Sequence, residues 1–501
     1  MSSAWHGWPT PFVLALDVGT SSCRASLYDA GGNRVPGATA QLTYSPRVTP
    51  DGGAELDPDH LVDLVAEAVD RVAGQVGPLF HEVRAVATSA FWCSLVGVDR
   101  QGRATTPLYL WMDARSRREA ELLKRELDER AVHARTGCFL HWSFPPAKLL
   151  WLSRAAPDAF RAARVWMSFG EYLMLRLFGR TFASISMASA SGLFNHHTVD
   201  WDDEVLAALP IEREHLPPLG EMHDAFAGLT PPYAARWPAL AEVPWVPPAG
   251  DGGCSNLGAG CAVRQRFALM IGTSGAIRSL FRADAIAIPW GVWCFRVDRR
   301  RFLLGGSLND GGSLVAWLRQ TLQLPDPEAL ERQLAAMEPL AHGLTVLPFW
   351  AGERTPGWAP DARGAIAGLR LHTSAVDIVR AALEAVALRF AAIDAVMRQA
   401  VPEVQETVAT GGALLRSPAW LQIVADALGR PVLASAEPEA SSRGAALLAL
   451  ELLGLVPGGV EQLDPPVSTT YDPIPEHTAR YRQAAEEQAR LYEVLVRGRE
   501  G

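Results

Sequence analysis

The same short pattern occurs twice in this chain, and that repeat limits what the chain can fold into. Ala15 to Tyr28 reads ALDVGTSSCRASLY and Ala268 to Phe281 reads ALMIGTSGAIRSLF, and the two align without a gap. Each is an apolar run, then Gly-Thr-Ser, then a second run of strand character, which predicts a β-hairpin turned by Gly-Thr-Ser. Glycine permits close backbone approach, and the amides and hydroxyls of such a turn can wrap an anion such as phosphate. One copy in each half predicts two related domains closing on a polyphosphate. The copies differ at one position of chemical weight: Asp17 in the first stands where the second has Met270.

A chain of 501 residues exceeds a single hydrophobic core, so two domains are expected. An apolar fraction of 49% with 20% charged residues excludes a disordered chain. The net charge of −9, without any basic block, argues against a nucleic-acid partner. Lys124 and Lys148 are the only lysines among many arginines, a bias read as codon usage without functional meaning. The six cysteines (Cys23, Cys93, Cys138, Cys254, Cys261 and Cys294) form no C-x-x-C pair and are read as reduced thiols. The N-terminal MSSAWHGWPT has no basic region, and Asp17 interrupts the apolar stretch after it. Neither a signal peptide nor a membrane span is expected, and the protein is expected to be cytoplasmic.

Residues 12–45 read as a strand meander with Gly31-Gly32-Asn33 as a turn. Asp59 to Ala73 has helical periodicity, Val83 to Ser89 reads as a strand, and Asp113 to Arg130 as one charged surface helix. A proline-rich stretch from Pro217 to Pro248 suggests a division into domains 1–248 and 249–501. In the second half, Ser374 and Asp377 form a capping signal for a helix to about Ala400. Ser442 to Leu453 reads as an apolar helix closed by Gly454, and Glu476 to Arg497 as a polar helix docking through Tyr481, Leu491, Tyr492 and Leu495. Strands alternating with helices in both halves give the α/β class.

The chemistry-bearing segments come next. Asp17-Val18-Gly19-Thr20-Ser21-Ser22 places an acid at a strand end beside a phosphate turn, where Mg²⁺ is held by one or two carboxylates and phosphate oxygens. Gly250-Asp251-Gly252-Gly253 presents a carboxylate that can take a proton from an attacking hydroxyl or hold the metal; a plain Asp-Gly turn is the alternative. Thr410-Gly411-Gly412-Ala413, between a strand and the helical Pro418 to Leu428, would let a flat ring lie on the backbone. Ser307 to Gly312, including Asn309, either offers helix N-terminal amides to a nucleotide or caps the helix after it. Glu353-Arg354 reads as a structural ion pair shaping the cleft. His141, His196, His197 and His372 have no metal-ligand spacing, so no zinc site is expected.

Taken in order, these pieces resemble the FGGY family of carbohydrate kinases, within the actin/hexokinase/Hsp70-like ATPase superfamily. The resemblance runs from Leu14 to Leu453 and includes Trp111-Met-Asp-Ala-Arg115, Pro146-Ala-Lys-Leu-Leu-Trp151, Ala188-Ser-Ala-Ser-Gly-Leu-Phe194, Ala351-Gly-Glu-Arg-Thr-Pro356 and Thr410-Gly-Gly-Ala413 beside the duplicated turns. It implies two ribonuclease-H-like domains with a cleft between them, and ATP with Mg²⁺. It implies Asp251 as catalytic base, with Asp17 and Asp251 as the acids near the metal. Gly19, Thr20, Ser21 and Ser22 would touch ATP from the first turn and Gly272, Thr273 and Ser274 from the second, with Asn309, Gly411, Gly412 and Arg416 on the nucleotide side. Substrate contacts would come from Phe91, Trp92, Cys93, Asp113, His141 and Trp142, with Asp251. The second half is most similar to the gluconate kinase branch, through Ser255 to Gly258, Ile271 to Arg278 and Leu347 to Arg354. One departure stands out: Cys93, flanked by Phe91 and Trp92, replaces the histidine of the Met-His pair usual in xylulose and gluconate kinases. Losing an imidazole changes which acceptor the pocket can pair. The expected acceptor is a small sugar acid, sugar or polyol, with gluconate favoured. A xylulose, glycerol or other polyol kinase and a non-catalytic sugar or nucleotide sensor are the alternatives. Homodimers are common in the family, though no sequence feature here demands one.

Overall fold

Each copy of the repeat is the central hairpin of its own sheet. The computed structural model describes residues 8–499. In the first half, β1 (Phe12–Val18), β2 (Ser22–Tyr28), β3 (Arg34–Thr43), β4 (Val83–Ala90) and β5 (Trp245–Gly250) form one sheet in the order β5-β4-β1-β2-β3. The first three strands are antiparallel, whereas β4 and β5 run parallel to β1. In the second half, β6 (Arg266–Ile271), β7 (Gly275–Arg282), β8 (Trp293–Arg296), β9 (Arg301–Leu308), β10 (Glu406–Thr410), β11 (Val432–Ser435) and β12 (Val467–Tyr471) are ordered β8-β9-β7-β6-β10-β11-β12. Without its edge strands β8 and β12, this sheet repeats the first in order and direction. The duplicated hairpin is thus the visible part of a duplicated fold.

The helices that matter for the site are α1 (Pro58–Val76), α2 (Arg117–Glu126), α3 (Glu129–Thr136), α4 (Pro145–Ala155), α5 (Phe169–Phe178), α6 (Asp251–Gly258), α7 (Gly312–Thr321), α8 (Ala375–Met397), α9 (Pro418–Leu428), α10 (Ala440–Leu452) and α11 (Pro475–Leu495). The segment expected as one helix over 113–130 is two. Leu127 turns extended and Asp128 starts α3 by accepting from the amides of Arg130 and Ala131, so side-chain capping breaks the charged run. The Ser374–Asp377 capping box starts α8 as its sequence implies. No helix of the described residues is long and apolar enough to cross a membrane.

The proline-rich division at 248 falls inside β5, which carries the first sheet on to Gly250. Helix α6 follows without a break, and α10 crosses back to lie against α6, β1 and β4. This crossing depends on glycine. A Cβ at Gly258 would come within 1.9 Å of the Ala440 carbonyl oxygen, and one at Gly444 within 1.8 Å of the Cys254 carbonyl oxygen. Backbone therefore meets backbone where α10 fastens the two halves together.

Candidate active site

The two Gly-Thr-Ser turns each close on the amide of their glycine, the second being one residue shorter. In the first, the Gly19 amide donates to the Ser22 carbonyl at 2.9 Å, and the Tyr44 amide and hydroxyl reach the Ser21 and Gly19 carbonyls. In the second, the Gly272 amide donates to the Ser274 carbonyl at 2.9 Å. The amides at the start of α7 do not face open space. Gly312 donates to the Gly272 carbonyl, while Gly311 and Ser313 donate to that of Thr273. The segment from Ser307 to Gly312 therefore braces the turn. With the turn carbonyls occupied, the amides of Thr20, Ser21, Thr273 and Ser274 have no backbone partner among the described residues. Such free amides suit an anion.

Asp17 and Asp251 lie at the carboxyl ends of β1 and β5, the two strands that flank β4, in the usual ligand crevice of an α/β sheet. Asp17 pairs in register with Ser89 of β4, and Gly250 with Ala90, which brings Asp251 beside them. Burial pushes the Asp17 carboxyl up to about 6, against the Ser89 hydrogen bond and the Arg24 charge, and the neighbouring Asp251 raises it further. Burial also raises Asp251, opposed by Arg278. Asp251 is the first residue of α6 and accepts its Gly252 amide at 2.7 Å. Arg24 lies 3.6 Å from Asp17 and also pairs with Glu439, so it joins the first sheet to the start of α10. Two carboxylates raised by burial, with Asp251 raising Asp17 further, form a set a divalent cation would relieve.

The expected acceptor residues separate into three groups. Phe91 does not reach the cleft: it is 1% exposed and stacks on Phe169 at 6.0 Å in the first core, because alternation along the chain turns it inward. Trp92 is a floor and not a contact surface. Its indole Nε1 donates to the Ser186 carbonyl at 3.0 Å, and a Cβ at Gly250 would sit 1.6 Å from the ring. Asp113 is also spent, its carboxylate accepting from the Ala54 amide and from Arg115. Cys93, by contrast, is half-buried, adopts a left-handed φ of 59° and places its thiol 3.2 Å from the Ala190 carbonyl oxygen. Burial holds this thiol up at about 12, so it stays protonated.

His141 and Trp142 do line a cleft cavity of about 320 Å³, together with Trp111, Arg117, Asn309 and Arg354. The Ser143 amide donates to His141 Nδ1 at 3.1 Å, which puts the ring proton on Nε2. Burial and the charges of Arg354, Lys148, Lys124 and Arg117 keep the ring neutral. Its Nε2–H has no partner among the described residues. Asn309 sits at this cavity, its amide donating to the carbonyls of Ala351 and Gly352 and not to the second Gly-Thr-Ser turn.

The expected Glu353–Arg354 ion pair does not form. Glu353 is buried against Arg389, the Tyr492 hydroxyl and the Gly357 amide, whereas Arg354 turns the other way, toward Trp111 and the cavity. Adjacent residues on an extended turn face apart, and the tertiary partners decided the pairing.

Arg278, Arg24, Glu439, Lys148 and Arg354 were not foreseen as site residues. Lys148 carried a signal as one of two lysines in an arginine-rich chain. It is 1% exposed, donates to the Trp142 carbonyl, and burial lowers it to about 8 against the pull of Asp113. On the far side of the second turn, Gly411 has φ 89° and backs directly onto Ile271, while Arg416 covers Gly412.

The model of the N-terminal domain of the FGGY family of carbohydrate kinases matches residues 12–258, and that of its C-terminal domain residues 270–451. The chain belongs to this family. It is 29% identical to a gluconokinase of Bacillus subtilis, over 94% of each protein. A glycerol kinase of Citrifermentans bemidjiense is 32% identical over 87% of this chain and 89% of that one. The solved gluconate kinase of Lactobacillus acidophilus superposes with a TM-score of 0.89 at 27% identity, covering 97% of this chain and 98% of that one. This FGGY chain is a carbohydrate kinase, a phosphotransferase of two-domain α/β fold, and kinases of the family take their phosphoryl group from ATP.

Proposed function

We propose that this protein transfers the γ-phosphoryl group of ATP to a hydroxyl of a small sugar acid, with gluconate the favoured acceptor. The observation that carries the acceptor class is the character of the cleft cavity. It presents Arg354, Arg117 and the His141 Nε2–H, and its one carboxylate, Glu353, is already occupied by Arg389 and Tyr492. A cavity of donors without a free acid suits a carboxylate better than a neutral polyol. The gluconokinase and gluconate kinase relatives support the same reading. The glycerol kinase relatives, at 31–32% identity, support a polyol as the second reading.

In this reading the free amides of Thr20 and Ser21 meet the phosphates from one side and those of Thr273 and Ser274 from the other. Arg416 and the Gly411–Gly412 backbone hold the adenosine end. Asp17 and Asp251 would hold Mg²⁺, which neutralises phosphate charge when bound. Asp251 accepts the proton of the attacking hydroxyl, and its raised affinity for protons suits that task. The charge of nearby Arg278 favours the ionised form of that carboxylate. Closure of the cleft excludes water that would otherwise take the phosphoryl group.

The test is ADP release with Mg-ATP across gluconate, xylulose, xylitol, erythritol and glycerol. Gluconate is expected to give the highest kcat/KM. A neutral polyol that exceeds it overturns the sugar-acid assignment.

A further inference from the structure

Trp358 is an unusual residue in an unusual backbone. Its φ is 53°, a left-handed conformation that bulky side chains adopt only where their surroundings impose it. The turn that carries it is held by the second half of the chain. The Glu353 amide donates to the Ala359 carbonyl, the Glu353 carboxylate is clamped by Arg389 and Tyr492, and the Trp358 Nε1 donates to the Gly291 carbonyl at 3.1 Å. The ring itself reaches across the cleft. It stacks on Phe139 at 4.1 Å and 26°, and meets His141 edge-on at 5.4 Å, both residues of the first half. Trp290, beside Gly291, reaches Phe139 from the same side at 4.9 Å. His141 is the cavity residue whose Nε2–H is free; Ser143 and Trp142 hold it from its own half, and Trp358 adds the edge contact from the opposite domain.

We propose that Trp358 is a positioning residue that couples closure of the cleft to the placement of His141, so that the phosphoryl group passes to the acceptor and not to water. The Phe139 segment is also joined to the second half through the Cys294 amide on the Gly137 carbonyl and through His133 on the Val292 carbonyl, so an opening that parts this wall would cost the Trp358–Phe139 stack and the edge contact on His141. Closed, the stack seals this wall and the imidazole stands ready for the acceptor. Without the seal, a water oxygen attacks the γ-phosphorus and its bond to the bridging oxygen breaks. ADP, inorganic phosphate and a proton are released. The inference rests on the kinase reading but not on the choice of acceptor.

The experiment compares the wild-type full-length chain with Trp358→Leu and Trp358→Phe. Two rates are measured: ADP release with Mg-ATP alone, and ADP release with Mg-ATP and gluconate. Trp358→Leu is expected to raise KM for gluconate by about tenfold, the upper value of a lost aromatic stack, and to leave KM for ATP unchanged. It should also raise hydrolysis without acceptor severalfold, and Trp358→Phe should recover most of both effects. Equal changes in both KM values with a lowered Tm and unchanged hydrolysis would reduce Trp358 to scaffold and overturn the proposal. If Trp358→Leu does not fold, Phe139→Leu removes the same stack from the other domain and is read in the same way. A wild-type chain inactive on gluconate would refute the sugar-acid reading alone, because the acceptor-free rates still decide the role of Trp358.

Discussion

Replacing Gly444 by alanine should damage stability and turnover together. Gly444 lies in α10, where a Cβ would stand 1.8 Å from the carbonyl oxygen of Cys254 and 2.5 Å from its carbon. Both atoms belong to the α6 backbone, so no side chain can rotate away. An ordinary carbon–oxygen contact of about 3.3 Å requires the two helices to separate by roughly 1.5 Å. Helix α10 is packed on β1 and β4, so α6 must give way, and α6 starts with Asp251. Overpacking of this kind costs about 1–3 kcal/mol. A misplacement of about 1 Å at a reacting group costs on the order of 10²-fold in rate. Thermal melting and the ADP-release assay read the two effects separately. Gly74→Ala is the control: its site, on the exposed face of α1, has nothing within 4 Å, so alanine should add about 0.5–1 kcal/mol through helix propensity. A Gly444→Ala protein with wild-type Tm and kcat would refute the backbone-contact reasoning.

Other consequences follow from the same geometry. Asp251→Asn should retain ATP affinity in equilibrium binding yet lose about 10²–10⁴-fold in kcat; near-normal turnover would remove Asp251 from the chemistry. Asp17 is held at about 6, and in the proposed function Mg-ATP binding needs its carboxylate ionised. Affinity for Mg-ATP should therefore fall as pH drops through 6, a limb that Asp17→Asn abolishes. In the ligand-free protein the sign is opposite. Between its ordinary value and 6 the folded state retains a proton that the unfolded chain gives up, so this group's contribution to stability falls as pH rises through that window. Glu353→Gln leaves Arg389 buried without a charged partner and should cost about 3–5 kcal/mol, seen as a lower Tm and earlier proteolysis at α11, whose Tyr492 loses its acceptor.

The sequence by itself determined features whose cause is local. The duplicated hairpins, the Ser374–Asp377 capping box and the glycines at the turns depend on backbone dihedrals and on residues a few positions apart, and such spacing is written in the chain. The two Gly-Thr-Ser hairpins were legible for that reason, helped by the repeat, whereas the nearness of Asp17 to Asp251 came only through the resemblance to the family. The tertiary structure alone decided which polar group met which. Glu353 chose Arg389 over its neighbour Arg354, Trp92 became the floor under Gly250, and Phe91 turned into the core. Arg278 came to face Asp251, and Trp358 found Phe139 on the other domain. These partners lie far apart in sequence and have no fixed spacing. They are selected by burial, since a charge removed from water must find its counterpart wherever the packed chain brings one.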